Sequence, residues 1–243
     1  GNPQTGDIVS VYNFRKDFIG KGYINTLSQI TVRLLTRDAD ETIDKSFFRN
    51  RLFSCRAYRE TLGYTTNYRL VFGEGDMLPA LVIDKFADVY VMQTLSAGMD
   101  KWKNIIAEIL LEDFHASGVY ERNDVPVRTL EGLTEHKGFL SEPFPTRFIM
   151  EEEGVRFHVD VDAGQKTGFF LDQKDNRLAI AQIVKNKSVL DCFTYTGSFA
   201  LFAAHFGAAS VQALDISADA IRMMQANAEL NGFKQIEGIC ANA

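Results

Sequence analysis

The stretch Val189-Leu-Asp-Cys-Phe-Thr-Tyr-Thr-Gly-Ser-Phe199 reads as a buried-type strand opening into a Thr/Gly turn, and the strand that follows ends in Asp215. A strand, a tight turn with exposed N–H groups, a helix, and an acidic residue at the tip of the next strand make a nucleoside-binding half-site. The turn lacks the Gly-x-Gly-x-x-Gly phosphate cradle, so the nucleoside expected here is not a dinucleotide. The helix from Ser198 aims its N-terminus at the turn, which favours a carboxylate or other anion there.

From Gly164 onward strands and helices alternate, the signature of a parallel α/β sheet. We expect a helix over 171–184, strands over 188–193, 210–216 and 236–240, and helices over 198–206 and 218–231, the last two stopped by Gly207 and Gly232. Three parallel strands with unpaired edges make a poor domain, so the chain is expected to be the N-terminal part of a longer protein.

Upstream the pattern differs. Residues 1–40 read as a small β module with strands near 7–12, 20–24 and 30–35. Residues 41–162 read as a central α+β domain, with a helix from an N-cap at Ser46 to about Leu62, a strand meander, and a second helix over 101–112. The Gly- and Pro-bearing segment 129–146 reads as mostly loop. A hairpin around Glu151-Glu-Glu-Gly154 closes the central domain, and 163–243 forms the start of the Rossmann-like domain.

Composition bounds the rest. The 243 residues are 46% hydrophobic, enough for a substantial core, and the net charge of −6 argues against a surface that is basic all over. Lys45 to Arg69 is nonetheless a basic window, with six cations against Glu60 alone. The cysteines Cys55, Cys192 and Cys240 show neither disulfide nor zinc spacing, so a reducing cytoplasm and no metal are expected. Cys192 and Cys240 fall in strands expected to be buried, where thiols are inert. No membrane span is expected, and homodimerisation is left open.

Within the half-site Asp215 is placed for ribose hydroxyls, or else is only an N-cap of the next helix. Asn242, after the third strand, lies in the same crevice and suits an adenine amino group; a lone Asn there is more often a turn former, and the presence of Asp215 reverses that preference. The run Ala163-Gly-Gln-Lys-Thr-Gly-Phe-Phe-Leu-Asp-Gln-Lys-Asp-Asn-Arg177 carries two exposed-looking phenylalanines and suits a flexible lip, with Phe169 or Phe170 stacking on a flat ring, or an aromatic plug.

Lys166-Thr-Gly-Phe-Phe-Leu-Asp-Gln173 with Asn176-Arg177, and then Val189 to Phe199, resemble the bacterial ribosomal RNA large subunit methyltransferase I family. Ser28-Gln-Ile-Thr-Val-Arg33, Tyr68-Arg-Leu-Val-Phe-Gly-Glu-Gly-Asp-Met-Leu-Pro79 and Tyr120-Glu-Arg-Asn-Asp124 extend the resemblance over nearly the whole chain. It implies a PUA RNA-binding module, a central α+β domain and a Rossmann-like domain that uses S-adenosylmethionine to make 5-methylcytosine in 23S rRNA. It also implies that Asp191, Phe193, Thr196 and Gly197 line the methionine end of the cofactor, with Asp215 at its ribose, Asn242 at its adenine, and Thr167 and Phe170 in the lip. Thr194, Tyr195 and Ile216 complete the set.

Two departures stand out. Residues 1–37 look like only the second half of the PUA module. The family's catalytic cysteine lies in later strands, so no catalytic residue is expected here. Ribosomal RNA is the expected partner, met by Lys21, Tyr23 and Arg33 of the β module and Arg49, Arg56 and Arg59 of the basic helix. The competing readings are a methyltransferase acting on a purine, DNA or protein, and a non-catalytic RNA-binding or assembly protein.

Overall fold

The computed structural model describes residues 2–242 and divides into two compact units, residues 1–144 with 165–167, and residues 145–164 with 168–243. In the first unit β1 (Ile8–Tyr12), β2 (Phe18–Ile24) and β3 (Val32–Thr36) form an antiparallel meander. Its bulge at Gly22 is there because a Cβ would run into the Arg33 carbonyl and Leu34.

Helix α1 (Lys45–Thr61) starts two residues earlier than expected: Asp44, not Ser46, is the cap, its Oδ1 accepting from Phe47 N at 2.9 Å. Strands β4 (Asn67–Phe72), β5 (Leu81–Phe86), β6 (Val89–Thr94), β7 (Gly118–Asn123) and β8 (His136–Phe139) form one sheet in sequence order. Only β6 and β7 pair in parallel, because α2 (Ala97–Glu112) carries the chain back between them. Phe48 and Leu52 of α1 and Ile106 and Leu110 of α2 bury against Leu70, Ile83, Met92 and Val119 of the sheet. Each such side chain contributes roughly 1.5–3 kcal/mol.

The segment expected to be loop holds a 3-10 turn, Pro126–Glu131, and strand β8. Strand β8 is a short edge with three of its four residues exposed, so it carries no hydrophobic alternation to read.

In the second unit β9 (Arg147–Glu152) and β10 (Val155–Asp160) form the hairpin, which groups with the α/β elements rather than with the central sheet. The expected helix over 171–184 is broken into a 3-10 turn (Leu171–Gln173), α3 (Lys174–Ala179) and α4 (Ala181–Val184). Ile180 between them has ψ −18, the tightening of a 3-10 step rather than a reversal.

Strands β11 (Ser188–Cys192), β12 (Ser210–Asp215) and β13 (Ile236–Cys240) are parallel and adjacent in that order, joined through α5 (Ser198–His205) and α6 (Ala218–Asn231). Both helices touch this sheet and also β10. The outer edge of β10 is satisfied by two asparagines one turn apart on α6. Asn227 Oδ1 accepts from His158 N at 2.8 Å, and Asn231 Oδ1 accepts from Arg156 N at 2.8 Å while its Nδ2 donates to Arg156 O at 2.7 Å.

Val189, Val211 and Ala213 turn inward, whereas Ser188, Leu190, Cys192 and Gln212 turn outward and are exposed. The expectation that Cys192 and Cys240 are buried is therefore corrected: both are exposed. The remaining cysteine, Cys55, is buried, and its thiol is pushed up to about 12 by that burial.

Candidate functional site

The turn after β11 is strained and over-determined. Phe193 (φ 60), Tyr195 (φ 51) and Gly197 (φ 86) all take left-handed backbone, although only one of them is glycine. Each non-glycine residue there costs on the order of 1–3 kcal/mol and persists only where the surroundings hold it. Here Tyr195 N donates to Asp215 Oδ2 at 2.9 Å, Thr194 N to Leu214 O at 3.0 Å, and Asn227 Nδ2 to Thr196 O at 3.0 Å. A Cβ on Gly197 would run into Met224 and Leu201, so the backbone lies directly on α6 and α5.

Asp191 Oδ2 accepts from Thr194 Oγ1 at 2.6 Å and from Ala200 N at 3.1 Å. The N-terminus of α5 is thus capped by this carboxylate, since Gly197 at the cap position has no side chain to offer. One first-turn N–H group of α5 is therefore answered by the protein's own side chain. Burial raises the Asp191 carboxyl above the usual carboxylate range and the Asp215 charge adds to this, while the Thr194 and Ala200 hydrogen bonds oppose it.

Asp215 is not the cap of α6. Ser217 caps that helix through Ala220 N at 3.2 Å, and Asp215 bridges two strand ends, with Oδ1 accepting from Ser217 N at 2.9 Å and Oδ2 held by Tyr195 N. Asp215 registers with Cys240 of β13, and Asn242 follows, exposed, two residues on. Phe193 and Ile216, each just past a strand end, are 76% and 74% exposed. The carboxyl ends of three adjacent parallel strands therefore carry two fixed carboxylates, an amide and two open apolar side chains, the composition of an adenosine-type crevice.

The lip residues part company. Phe169 is buried against Phe157, with ring centroids 5.0 Å apart, and under the Arg177 guanidinium at 4.9 Å; it is not an exposed stacking ring. Phe170 is half-buried and meets Tyr195 edge-on at 5.6 Å. Thr167, expected in an open lip, is fully buried, and its Oγ1 donates to Asp84 Oδ2 at 2.6 Å within the first unit.

Two residues that sequence reasoning left without a role position this site. Arg177, with no exposed surface, donates from Nε to Glu152 Oε1 at 2.8 Å and from Nη1 to Phe170 O at 2.9 Å, fixing the backbone that presents Phe170. Burial lowers the Arg177 guanidinium and raises the Glu152 carboxyl, each opposed by the other's charge. Asn227, fully buried, ties the turn to β10. A pair of asparagines four apart inside a helix is the one signal that pointed to it, because Asn is a poor interior helix former unless its side chain is used.

The expected RNA contacts fare unevenly. Tyr23 is buried, donating to Pro79 O at 2.9 Å and accepting from Ser96 Oγ at 2.8 Å; its ring fills the space beside Gly98. Arg59 is buried, paired with both oxygens of Asp76 and with Arg69 O. Burial and full pairing correct both assignments. Arg33 pairs with Glu131 at 3.0 Å, Arg49 with Asp113 at 2.8 Å, and Lys21 donates to Ala39 O and Glu41 O. Arg56 stacks over Phe53 and Phe114 at 4.7 and 4.8 Å. Among the described residues no three His, Cys, Asp or Glu side chains are grouped to hold a metal, and no helix is long and apolar enough to cross a membrane.

Residues 134–238 match the S-adenosylmethionine-dependent methyltransferase family model, and residues 1–37 match a PUA-like domain. Proteins named ribosomal RNA large subunit methyltransferase I from Shewanella denitrificans and Aliivibrio fischeri are 44% and 41% identical over 237 residues, 96% of this chain. The chain spans about 60% of the length of these curated relatives. A solved Streptococcus mutans structure assigned to the SAM-dependent methyltransferases matches with a TM-score of 0.82 at 20% identity, covering 100% of this chain and 64% of that one. SMU.776, solved in complex with SAH, matches with a TM-score of 0.84 at 20% identity, covering 98% and 62%. At that identity the structures establish the fold, a Rossmann-like methyltransferase fold. By its sequence relatives and its two matched regions, the chain belongs to the ribosomal RNA large subunit methyltransferase I family, with a PUA-like segment ahead of an S-adenosylmethionine-dependent methyltransferase region.

Proposed function

We propose that the protein is an S-adenosylmethionine-dependent methyltransferase of large-subunit ribosomal RNA, with cytosine C5 as the acceptor. The observation that carries this reading is the Asp215 carboxylate, which sits at the end of the middle parallel strand and ties the β11 turn to the start of α6. Such a fixed acceptor at a strand end suits a ribose diol. Exposed Ile216 offers an apolar face to the base, Asn242 a donor and acceptor pair to its edge, and Phe193, Thr194, Tyr195, Thr196 and Gly197, with Asp191, the wall of the methionine end. Phe170, whose backbone carbonyl accepts from Arg177, closes one side.

The bound cofactor supplies an electrophilic methyl group on a sulfonium. The residues described here bind and orient it; carboxylates near a sulfonium and an ammonium are favourable. Methylation at C5 needs a thiolate to add to C6; Cys55 is unsuited because its thiol is buried, whereas Cys192 and Cys240 are exposed at the ends of β11 and β13. The family resemblance assigns that thiolate to none of these three cysteines. Acting on ribosomal RNA, the protein works in the cytoplasm.

Calorimetry of the full-length protein should show binding of S-adenosylmethionine and of its demethylated product; no binding of either would reject the reading. Mass mapping of large-subunit rRNA from a deletion strain should show loss of one 5-methylcytosine. An unchanged cytosine pattern would reject the acceptor while leaving the cofactor assignment standing.

A further inference from the structure

The tip of the β1–β2 hairpin stands apart from the surfaces considered above. Phe14 is 90% exposed on a turn of five residues, 13–17, that also carries Arg15 and Lys16, and Tyr12 at the end of β1 is 57% exposed. An aromatic ring this open on a short turn gains nothing for the core.

The turn is held rigid. Asn13 Oδ1 accepts from Arg15 N at 2.8 Å and from Asp17 N at 2.9 Å, while its Nδ2 donates to the Asp17 carboxylate at 2.9 Å. Tyr12 pairs with Phe18 across the hairpin, ring edge to face at 5.7 Å. Lys16 takes φ 68, the left-handed step that closes the loop. The Asp17 carboxylate, the one acid of the turn, is turned toward Asn13. Neither Arg15 nor Lys16 forms an ion pair among the described residues.

The Arg15 guanidinium lies 5.2 Å from the Phe14 ring centroid, covering one side of the ring. A rigid aromatic with a stacked cation on one side and a free ammonium beside it matches what an unpaired nucleotide requires: a flat surface for the base and cations for its phosphates. Stacking energy and phosphate contact come from different side chains, so they can be separated by experiment. We propose that this hairpin tip is an RNA-binding finger that stacks an unpaired base of the ribosomal RNA substrate on Phe14, with Arg15 and Lys16 at the flanking phosphates. The proposal rests on the rRNA reading above and adds the place where the RNA is gripped.

The test is a fluorescence-anisotropy titration of the full-length protein with large-subunit rRNA fragments that contain unpaired loops. Phe14→Ala should weaken binding about tenfold and Phe14→Trp should restore it, because any flat ring serves as a platform. Arg15→Ala and Lys16→Ala should each lower the slope of log K against log salt by about one. Affinity for S-adenosylhomocysteine should be the same in Phe14→Ala, which shows that the variant is folded. Wild-type binding that Phe14→Ala leaves unchanged would overturn the finger and leave the proposed function intact. So would a defect confined to anionic-vesicle binding or to self-association measured by sedimentation. A wild-type protein that binds no such RNA would overturn the proposed function and the finger with it.

Discussion

The polar chemistry of the first unit is largely spent on itself, whereas the second unit, beside its buried Arg177–Glu152 pair, leaves polar and apolar groups facing outward at the strand ends. In the first unit Arg59 grips Asp76, Arg69 grips Asp84, Asp84 also receives Thr167, and Arg128 grips Asp100 and the Thr94 carbonyl. These pairs are buried or nearly so, and they account for Arg128 and for Arg122, which pairs with Asp124. At the carboxyl ends of β11, β12 and β13 the carboxylates' hydrogen bonds among the described residues are those that shape the turn, and Phe193, Ile216 and Asn242 remain exposed. The contrast teaches that charge density along a sequence marks architecture as readily as function. What separates the two is whether each charge has already been answered inside the fold.

The largest test of that contrast is Arg59→Ala. It strands the Asp76 carboxylate, 9% exposed, and should cost about 3–5 kcal/mol in denaturant unfolding with affinity for S-adenosylhomocysteine unchanged. An Arg59 variant of normal stability that had lost only RNA binding would reverse the assignment of this arginine to architecture. Asn227→Ala removes hydrogen bonds to Thr196 O and His158 N from a buried site, for about 1–3 kcal/mol, and should also weaken cofactor binding because the turn loosens. Stability lost without any change in affinity would show that the turn keeps its shape alone.

Asp215→Ala should abolish most cofactor affinity while costing about 1 kcal/mol of stability, the reverse of the Arg59 pattern. Cofactor titration and unfolding on the same preparation check both. Asp191→Asn isolates a protonation effect. Because the folded state raises the Asp191 carboxyl, its favourable contribution is fully present below the unfolded value near 3.8 and is lost as pH rises through the raised folded value. The melting temperature of Asp191→Asn relative to wild type should therefore climb as pH rises from about 3.8 through the raised folded value. A difference independent of pH would mean that the carboxyl titrates normally. Smallest is Arg56→Ala, whose pair with Glu60 is exposed at 3.7 Å and whose loss should cost about 0–1 kcal/mol.

Much of this protein was legible beforehand. The strand, turn and helix over Val189 to Phe199 follow from a run of apolar residues broken by Thr and Gly, a local signal that needs no partner to be read. Strand β8 was missed because its four residues lack alternation, and the 171–184 helix was overdrawn because a 3-10 tightening at Ile180 leaves no mark in composition. Thr167 and Phe169 were read as an open lip from their glycine neighbours; packing against Asp84, Phe157 and Arg177 decided otherwise. The hairpin finger was overlooked because Phe14 and Arg15 lie in a connection between strands, where a lone aromatic carries no periodic signal.

The sequence by itself determined the order of strands and helices, the α/β character of the second unit, and the family, because these rest on short-range pattern and on motifs contiguous in the chain. Only the tertiary structure decided which cations are free, which carboxylate caps which helix, and which cysteines are exposed. Those depend on groups far apart in sequence, such as Arg59 with Asp76 or Arg177 with Glu152, and on the distance-dependent electrostatics and desolvation that act once the fold has brought them together.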